Sequence, residues 1–346
     1  MSVFNQFGLC LILCGILVSL DFNQEGDVLG IKNRDINRLI LKISAEVCRY
    51  AFFISMCYVL LYPFLYIVVN SIKSHADAYD ATVTWVPKSI YFGNLVSALK
   101  VFDVKNTLMR TVVYEIVASL IQFCSCAVAA YGLARYNLKG KGIMIGLIIL
   151  NILVPYMMTI IPSYVNYSYL DFFGILGLIS KIVGHDIRPN IIGTPWVFYL
   201  PSLFGVGLKG GLFIYIFMQF FKGLPKELEE AAWIDGAGAW KTFLRIVIPA
   251  SGSAMITVIL FSVIWHWNDL YLAEMYLNEN TFSVAISNFT SSSIVSTLGL
   301  DLETANSMLV PILLSGCLIF MVPLIIFYLI IQRKFMASIA TSGIVG

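Results

Sequence analysis

Apolar residues run along this chain in blocks and not in alternation with polar ones. Six stretches, near 51–70, 111–131, 143–164, 203–221, 254–272 and 308–331, are long and almost free of charge. About 20 apolar residues, rising 1.5 Å each, cover the ~30 Å hydrocarbon layer of a bilayer. Lipid offers the backbone no hydrogen-bond partner, so such stretches span as helices or closed barrels. Continuous apolar runs lack the period of two that a barrel needs. The pattern therefore predicts an all-α, polytopic membrane protein with six core transmembrane helices. Two weaker patterns precede the first block. Residues 7–20 are apolar, but 14 residues reach only ~21 Å, and no basic residue or cleavage site marks a secretory signal. Segment 1–30 thus reads as an extra helix or as a surface-lying tail. In 35–49, Ile36, Leu39, Ile40, Ile43 and Val47 share one helical face, with Arg38, Lys42 and Glu46 opposite. That is the signature of a helix in the cytoplasmic interface, a plain extension of the first span being the alternative.

Charge sets the orientation. Only 12% of the 346 residues are charged and 59% are hydrophobic, against about 25% charged in soluble domains. Lys and Arg gather in 32–49, in 135–141, in 222–245 and at Arg333–Lys334, whereas 273–307 has none and carries Glu274, Glu279, Asp301 and Glu303. The positive-inside bias places the basic groups in the cytoplasm and the acidic loop outside. The resulting plan is an amino-terminal segment 1–30, an interfacial helix 31–49, a transmembrane domain 50–332 with a long cytoplasmic loop 223–249, and a cytoplasmic tail 333–346.

Little in the chain carries chemistry. The cysteines lie in or beside apolar stretches, and none stands near His75, His185 or His266 at metal-ligand spacing. No metal site or cofactor is expected. The run Gly205-Val206-Gly207-Leu208-Lys209-Gly210 matches the dinucleotide pattern G-x-G-x-x-G, but it opens a membrane span, where that pattern has no mechanism. No phosphate-cradling G-x-x-x-x-G-K-[ST] and no hydrolase motif occurs, so the chain reads as a non-enzyme, and any ATP is bound by a partner. Ionisable residues inside spans are few. Glu115 stands near the start of the second span as a pathway residue, or as a cavity-facing or helix-terminus acid. His266 and Asp269 are close enough to the outer end of the fifth to reach water. Trp265, Trp267 and Asn268 are further candidate pathway residues, although aromatics also belong at membrane interfaces.

The loop between the fourth and fifth spans is more informative. Pro225 suits a first helical turn, Glu227, Glu229 and Glu230 suit its positive end, and Gly236 suits a stop. A second helix follows from about 238 to Pro249. The face of Leu228, Ala231, Ala232 and Asp235 is small enough to enter another protein's groove.

Within that loop, Glu230-Ala231-Ala232, then Gly236, then Ile246-x-Ile248-Pro249 resembles the EAA signature of ABC importer permeases, with Ile248 in place of the usual Leu. The stretch Leu224–Ala237, together with Trp267-Asn268-Asp269, Ala134-Arg135 and Gly140-Lys141, is similar to the carbohydrate branch, of the maltose-permease G type. The resemblance covers about 50–346 and departs at an insertion around 181–193. It implies a type I importer permease, half of a pore, docking on an ATPase through Glu230, Ala231, Ala232, Asp235, Gly236 and Pro249. There Glu230 would be the polar anchor, the two alanines the close-approach surface and Gly236 the hinge. The implied partners are a second homologous permease, two ATP-binding subunits, and an extracellular or periplasmic solute-binding protein facing 273–307. Besides these stand the lipid bilayer and no nucleic acid, in a bacterial inner membrane. A permease for a non-sugar solute, an autonomous ion-coupled carrier and a signalling membrane protein are the alternatives.

Overall fold

The structure, a computed structural model, describes residues 31–80, 82–171 and 174–342. Segment 1–30 and the last four residues of the tail lie outside the described residues. Contacts divide the chain into a unit that ends at Tyr66 and one that begins at Ile67. The first unit holds most of helix α1, Ile31–Ser71, which is unbroken through its 41 residues. The stretch 35–49 is therefore continuous with the predicted first span. From Leu41 onward none of its apolar window is buried. Phe52, Ile54, Leu60 and Leu65 are exposed, a surface matched to hydrocarbon.

The second unit is helical as well. In chain order its principal elements are α2 (Gly93–Val101), α3 (Val104–Arg135), α4 (Lys141–Leu153), α5 (Tyr156–Ser168), α6 (Ile175–Val183) and α7 (Trp196–Leu203). They are followed by α8 (Gly210–Gly223), α9 (Glu227–Ile234), α10 (Ala239–Ala250), α11 (Gly252–Trp267) and α12 (Leu302–Ser342). Among the described residues the only extended pairing is a single antiparallel bridge between Lys73 and Ile90.

The six predicted blocks all land on helices, but three are bent or divided. Helices α1, α3 and α12 are long and apolar enough to cross a bilayer alone, whereas α4–α5 and α10–α11 qualify only as bent pairs. The block 143–164 turns through 105° between α4 and α5. Pro155 disfavours helix in the residue before it, and Val154 duly takes an extended ψ of 117°. The block 203–221 is divided as well. Its helix α8 has 14 residues, and the chain reaches it from α7 through left-handed turns at Gly205 and Lys209.

Packing is densest where small residues meet rings. Cys126, Ala127 and Ala130 of α3 share one buried cluster with Phe213, Phe217 and Phe221 of α8 and with Val258 of α11. In a bilayer such contacts gain from close approach and not from escape from water. The acidic outer loop 273–307 is folded rather than an open connector. It holds three short helices, Tyr271–Tyr276, Phe282–Ser287 and Ser291–Leu298. Phe282 and Ile294 are fully buried beside Phe102 and Ile312, and the Phe282 amide donates to Thr111 Oγ1 at 2.9 Å. In the 181–193 insertion, α6 ends at Gly184 and is followed by an Arg188–Asp186 ion pair of 2.7 Å.

Candidate functional site

The loop 223–249 folds as two short helices. Helix α9 begins at Glu227, just after Pro225, and Gly236 at φ +78° ends it by reversing the chain. Helix α10 then runs to Ala250, contains a π-turn at Phe243–Val247, and meets α11 at 84°. π-turns recur at functional sites because they shift a helix's register locally.

A residue that the sequence reading took only as a helix-end acid fixes this hairpin. Glu229 is 4% exposed, and its Oε1 lies 2.6 Å from Arg135 Nε at the cytoplasmic end of α3. The Tyr131 hydroxyl donates to Glu229 Oε2 at 3.1 Å, and Arg135 Nη2 donates to the Leu224 carbonyl at 2.8 Å. Tyr131 also packs on Phe243 of α10, with ring centroids 4.9 Å apart. A buried ion pair flanked by these two hydrogen bonds holds relative positions more than it adds net stability.

The predicted docking residues divide around that rivet. Glu230, Ala231, Asp235, Gly236 and Pro249 are exposed, whereas Ala232 is buried. Leu228, Ala231, Ala232 and Asp235 line a cleft of about 310 Å³ with Ala237 of the turn and Lys241, Arg245 and Ile246 of the second helix. Trp233, Ile234, Trp240 and Leu244 stand out around it as exposed apolar side chains.

A second constellation lies within the spans. Glu115 sits inside a π-turn, Val112–Ile116, twelve residues into α3, and is 1% exposed. It is thus not a helix-terminus acid. His266 is buried rather than reaching water. Its Nδ1 lies 3.3 Å from Glu115 Oε2 and its Nε2 lies 2.7 Å from Gln122 Oε1. Gln122 Nε2 donates to the Leu208 carbonyl at 2.9 Å, which orients the amide oxygen toward the ring. His266 Nε2 therefore carries a proton, and one further proton lies along the line between Nδ1 and the carboxyl. Beside this chain the Ser119 hydroxyl meets that of Ser262 at 2.8 Å. Asp269 is also buried. It accepts from the amides of Leu272 and Ala273 and so caps a short outer helix instead of meeting water.

His266 also lines a cavity of about 190 Å³ between α4–α5, α7, the turn before α8, and α11. Its wall includes Asn151, Tyr156, Ser202, Lys209 and Tyr276. Trp265 stacks on Phe261 and faces Phe213, Trp267 stacks on Phe320 and donates to its carbonyl at 3.2 Å, and Asn268 is exposed. The structure thus joins Glu115 to His266 and Gln122, and leaves Trp265, Trp267 and Asn268 off the cavity wall.

Residues 126–340 match the family of binding-protein-dependent transport system inner membrane components. The chain is 27% identical over 290 residues to the trehalose transport system permease protein SugB of Mycobacterium tuberculosis, covering 83% of this chain and 93% of that one. It is 26% identical over 298 residues to the osmoprotective compounds uptake permease protein GgtD of Synechocystis, covering 84% and 89%. It is also 25% identical over 286 residues to the diacetylchitobiose uptake system permease protein NgcG of Streptomyces coelicolor, covering 82% and 83%. Among solved structures, a chain of a bacterial ABC transporter that imports the acidic polysaccharide alginate shares its fold. That likeness has a TM-score of 0.59 at 21% identity, over 90% of this chain and all of that one.

Proposed function

Because the chain belongs to the family of binding-protein-dependent transport system inner membrane components, we propose that it forms half of the pore of an ATP-driven importer of sugars or oligosaccharides. It is a multi-pass transport subunit and not an enzyme. Its family works with an ATPase and a solute-binding protein. In our reading the full assembly also has a second homologous permease and two copies of the ATPase, and sits in a bacterial inner membrane. ATP stays on the ATPase, and this chain holds no cofactor. Sugar cargo is supported by relatives named for trehalose and diacetylchitobiose uptake.

The observation that carries the coupling role is the hairpin α9–α10. Its exposed cleft is built on the helix that a buried Glu229–Arg135 pair ties to α3, so a push on the cleft is passed to α3 and not absorbed by a loose loop. The test is ATP hydrolysis by the co-purified complex in lipid, with sugar-loaded binding protein. Glu230→Ala, on the exposed face, should keep the assembly folded and abolish the stimulation. A variant with unchanged stimulation would remove Glu230 from the docking surface.

A further inference from the structure

The cavity beside His266 has a cation on its wall and, among the described residues that line it, no carboxylate. That cation is Lys209, at the amino end of α8. The 14 residues of α8 rise ~21 Å from the docking loop, which sets Lys209 within a hydrocarbon layer of ~30 Å. An ionisable side chain at such a depth is costly and marks a pathway by default. No ion pair among the described residues involves it. Its ammonium stands instead 5.8 Å from the centroid of the Tyr156 ring and 5.9 Å from that of Trp265. Its backbone is also strained, at φ +61°, a conformation that persists only where surroundings or function require it.

Two further features face the same space. Ser202 is fully buried, lines the cavity, and its Oγ has no hydrogen-bond partner among the described residues. A buried hydroxyl left unpaired is unfavourable, so it awaits a partner that enters the cavity. Gly207 keeps the approach open, since a Cβ there would stand 2.8 Å from that hydroxyl. The amino end of α8 adds the positive end of a helix dipole. Aromatic walls with a few placed polar groups are the usual make-up of a small-molecule site, and a volume of about 190 Å³ suits one sugar unit.

We infer that this cavity is a cargo subsite for a carbohydrate bearing an acidic substituent. The Lys209 ammonium pairs with the anionic group, the Ser202 hydroxyl donates to the same unit, and the face of Tyr156 receives the sugar's C–H surface. The inference rests on the sugar-importer reading and narrows it to a charge class.

The test is equilibrium binding to the assembled transporter in lipid nanodiscs without binding protein, using a galacturonate disaccharide and its uncharged galactose counterpart. The acidic sugar should bind about tenfold more tightly, the worth of one charge-assisted hydrogen bond. Lys209→Gln should erase that difference, Lys209→Arg should keep it, and added salt should shrink it. Equal binding of both sugars by the wild type, or a preference that survives Lys209→Gln, overturns the acid subsite and leaves the sugar-importer reading standing. Binding of neither sugar by the wild type overturns the acid subsite, while the sugar-importer reading stands or falls on ATP hydrolysis with sugar-loaded binding protein.

Discussion

Two buried polar networks sit on the same helix, α3, and they are built to opposite specifications. At the carboxyl end of α3, Glu229, Arg135 and Tyr131 make a knot of one ion pair and two hydrogen bonds, one of them to the Leu224 carbonyl. Within the spans, Glu115, His266 and Gln122 make a chain in which one proton decides between an ion pair and a neutral pair. The first is fixed, tying three elements into one rigid corner. The second is adjustable, since it turns on the position of a proton. The contrast teaches that one helix can carry both a tie that fixes neighbouring elements and a contact that a single proton can rearrange.

Breaking the rigid corner should give the largest effect. Glu229→Ala leaves Arg135 buried without its counter-charge, which costs about 3–5 kcal/mol. Thermal unfolding of the purified complex should show that loss, together with loss of the co-purifying ATPase. Replacing both partners, Glu229→Leu with Arg135→Met, should restore much of the thermal stability without restoring coupling. If the double variant recovers full coupling, the corner is only a structural brace.

The interior network should respond in two grades. Glu115→Ala leaves His266 Nδ1 unpaired in a buried site and should cost about 1–3 kcal/mol by the same thermal measurement. Glu115→Gln can donate to Nδ1 and should cost less. Equal losses for the two would mean that His266 is doubly protonated and requires the charge.

The smallest effect belongs to the outer segment 72–92. There the Lys88 ammonium, 2.6 Å away, holds the Asp80 carboxyl well below the usual carboxylate range. A depressed carboxyl contributes stability above its unfolded pKa, about 3.9, and loses it only as pH falls through the folded value. Hydrogen exchange of 72–92 should therefore be unchanged from pH 8 to pH 5 apart from the intrinsic rate, and protection should fall only in stronger acid.

The blocks of apolar residues made the helical class legible, and Pro225 and Gly236 marked the ends of α9 closely. The breaks within blocks were harder to read. Val154-Pro155 divides a span that hydropathy alone treats as continuous, because a window averages over the turn. Glu229 was read only as a helix-end acid because three acids in one helical turn look alike until the turn is docked on α3. Then one faces Arg135 while Glu230 faces out. Arg135 was read for topology, although a basic residue ending a span can also turn inward. Gln122, an amide in the middle of the apolar run 111–131, was the one readable signal for the interior network. Lys209 was hidden by the glycine pattern around it, whose real purpose is conformational. Gly210 lies so close to the Gly205 carbonyl that a Cβ would stand 2.1 Å from it.

The 84° junction between α10 and α11 makes these two helices a bell crank, with its elbow at Ser251. The short arm carries one wall of the cytoplasmic cleft, and the long arm, 16 residues or ~24 Å, carries His266 at its tip. Rotation of the short arm by some ten degrees would sweep that tip sideways by roughly 4 Å over such an arm. That is more than the reach of a hydrogen bond, so a modest stroke at the elbow is enough to make or break the interior contacts of His266.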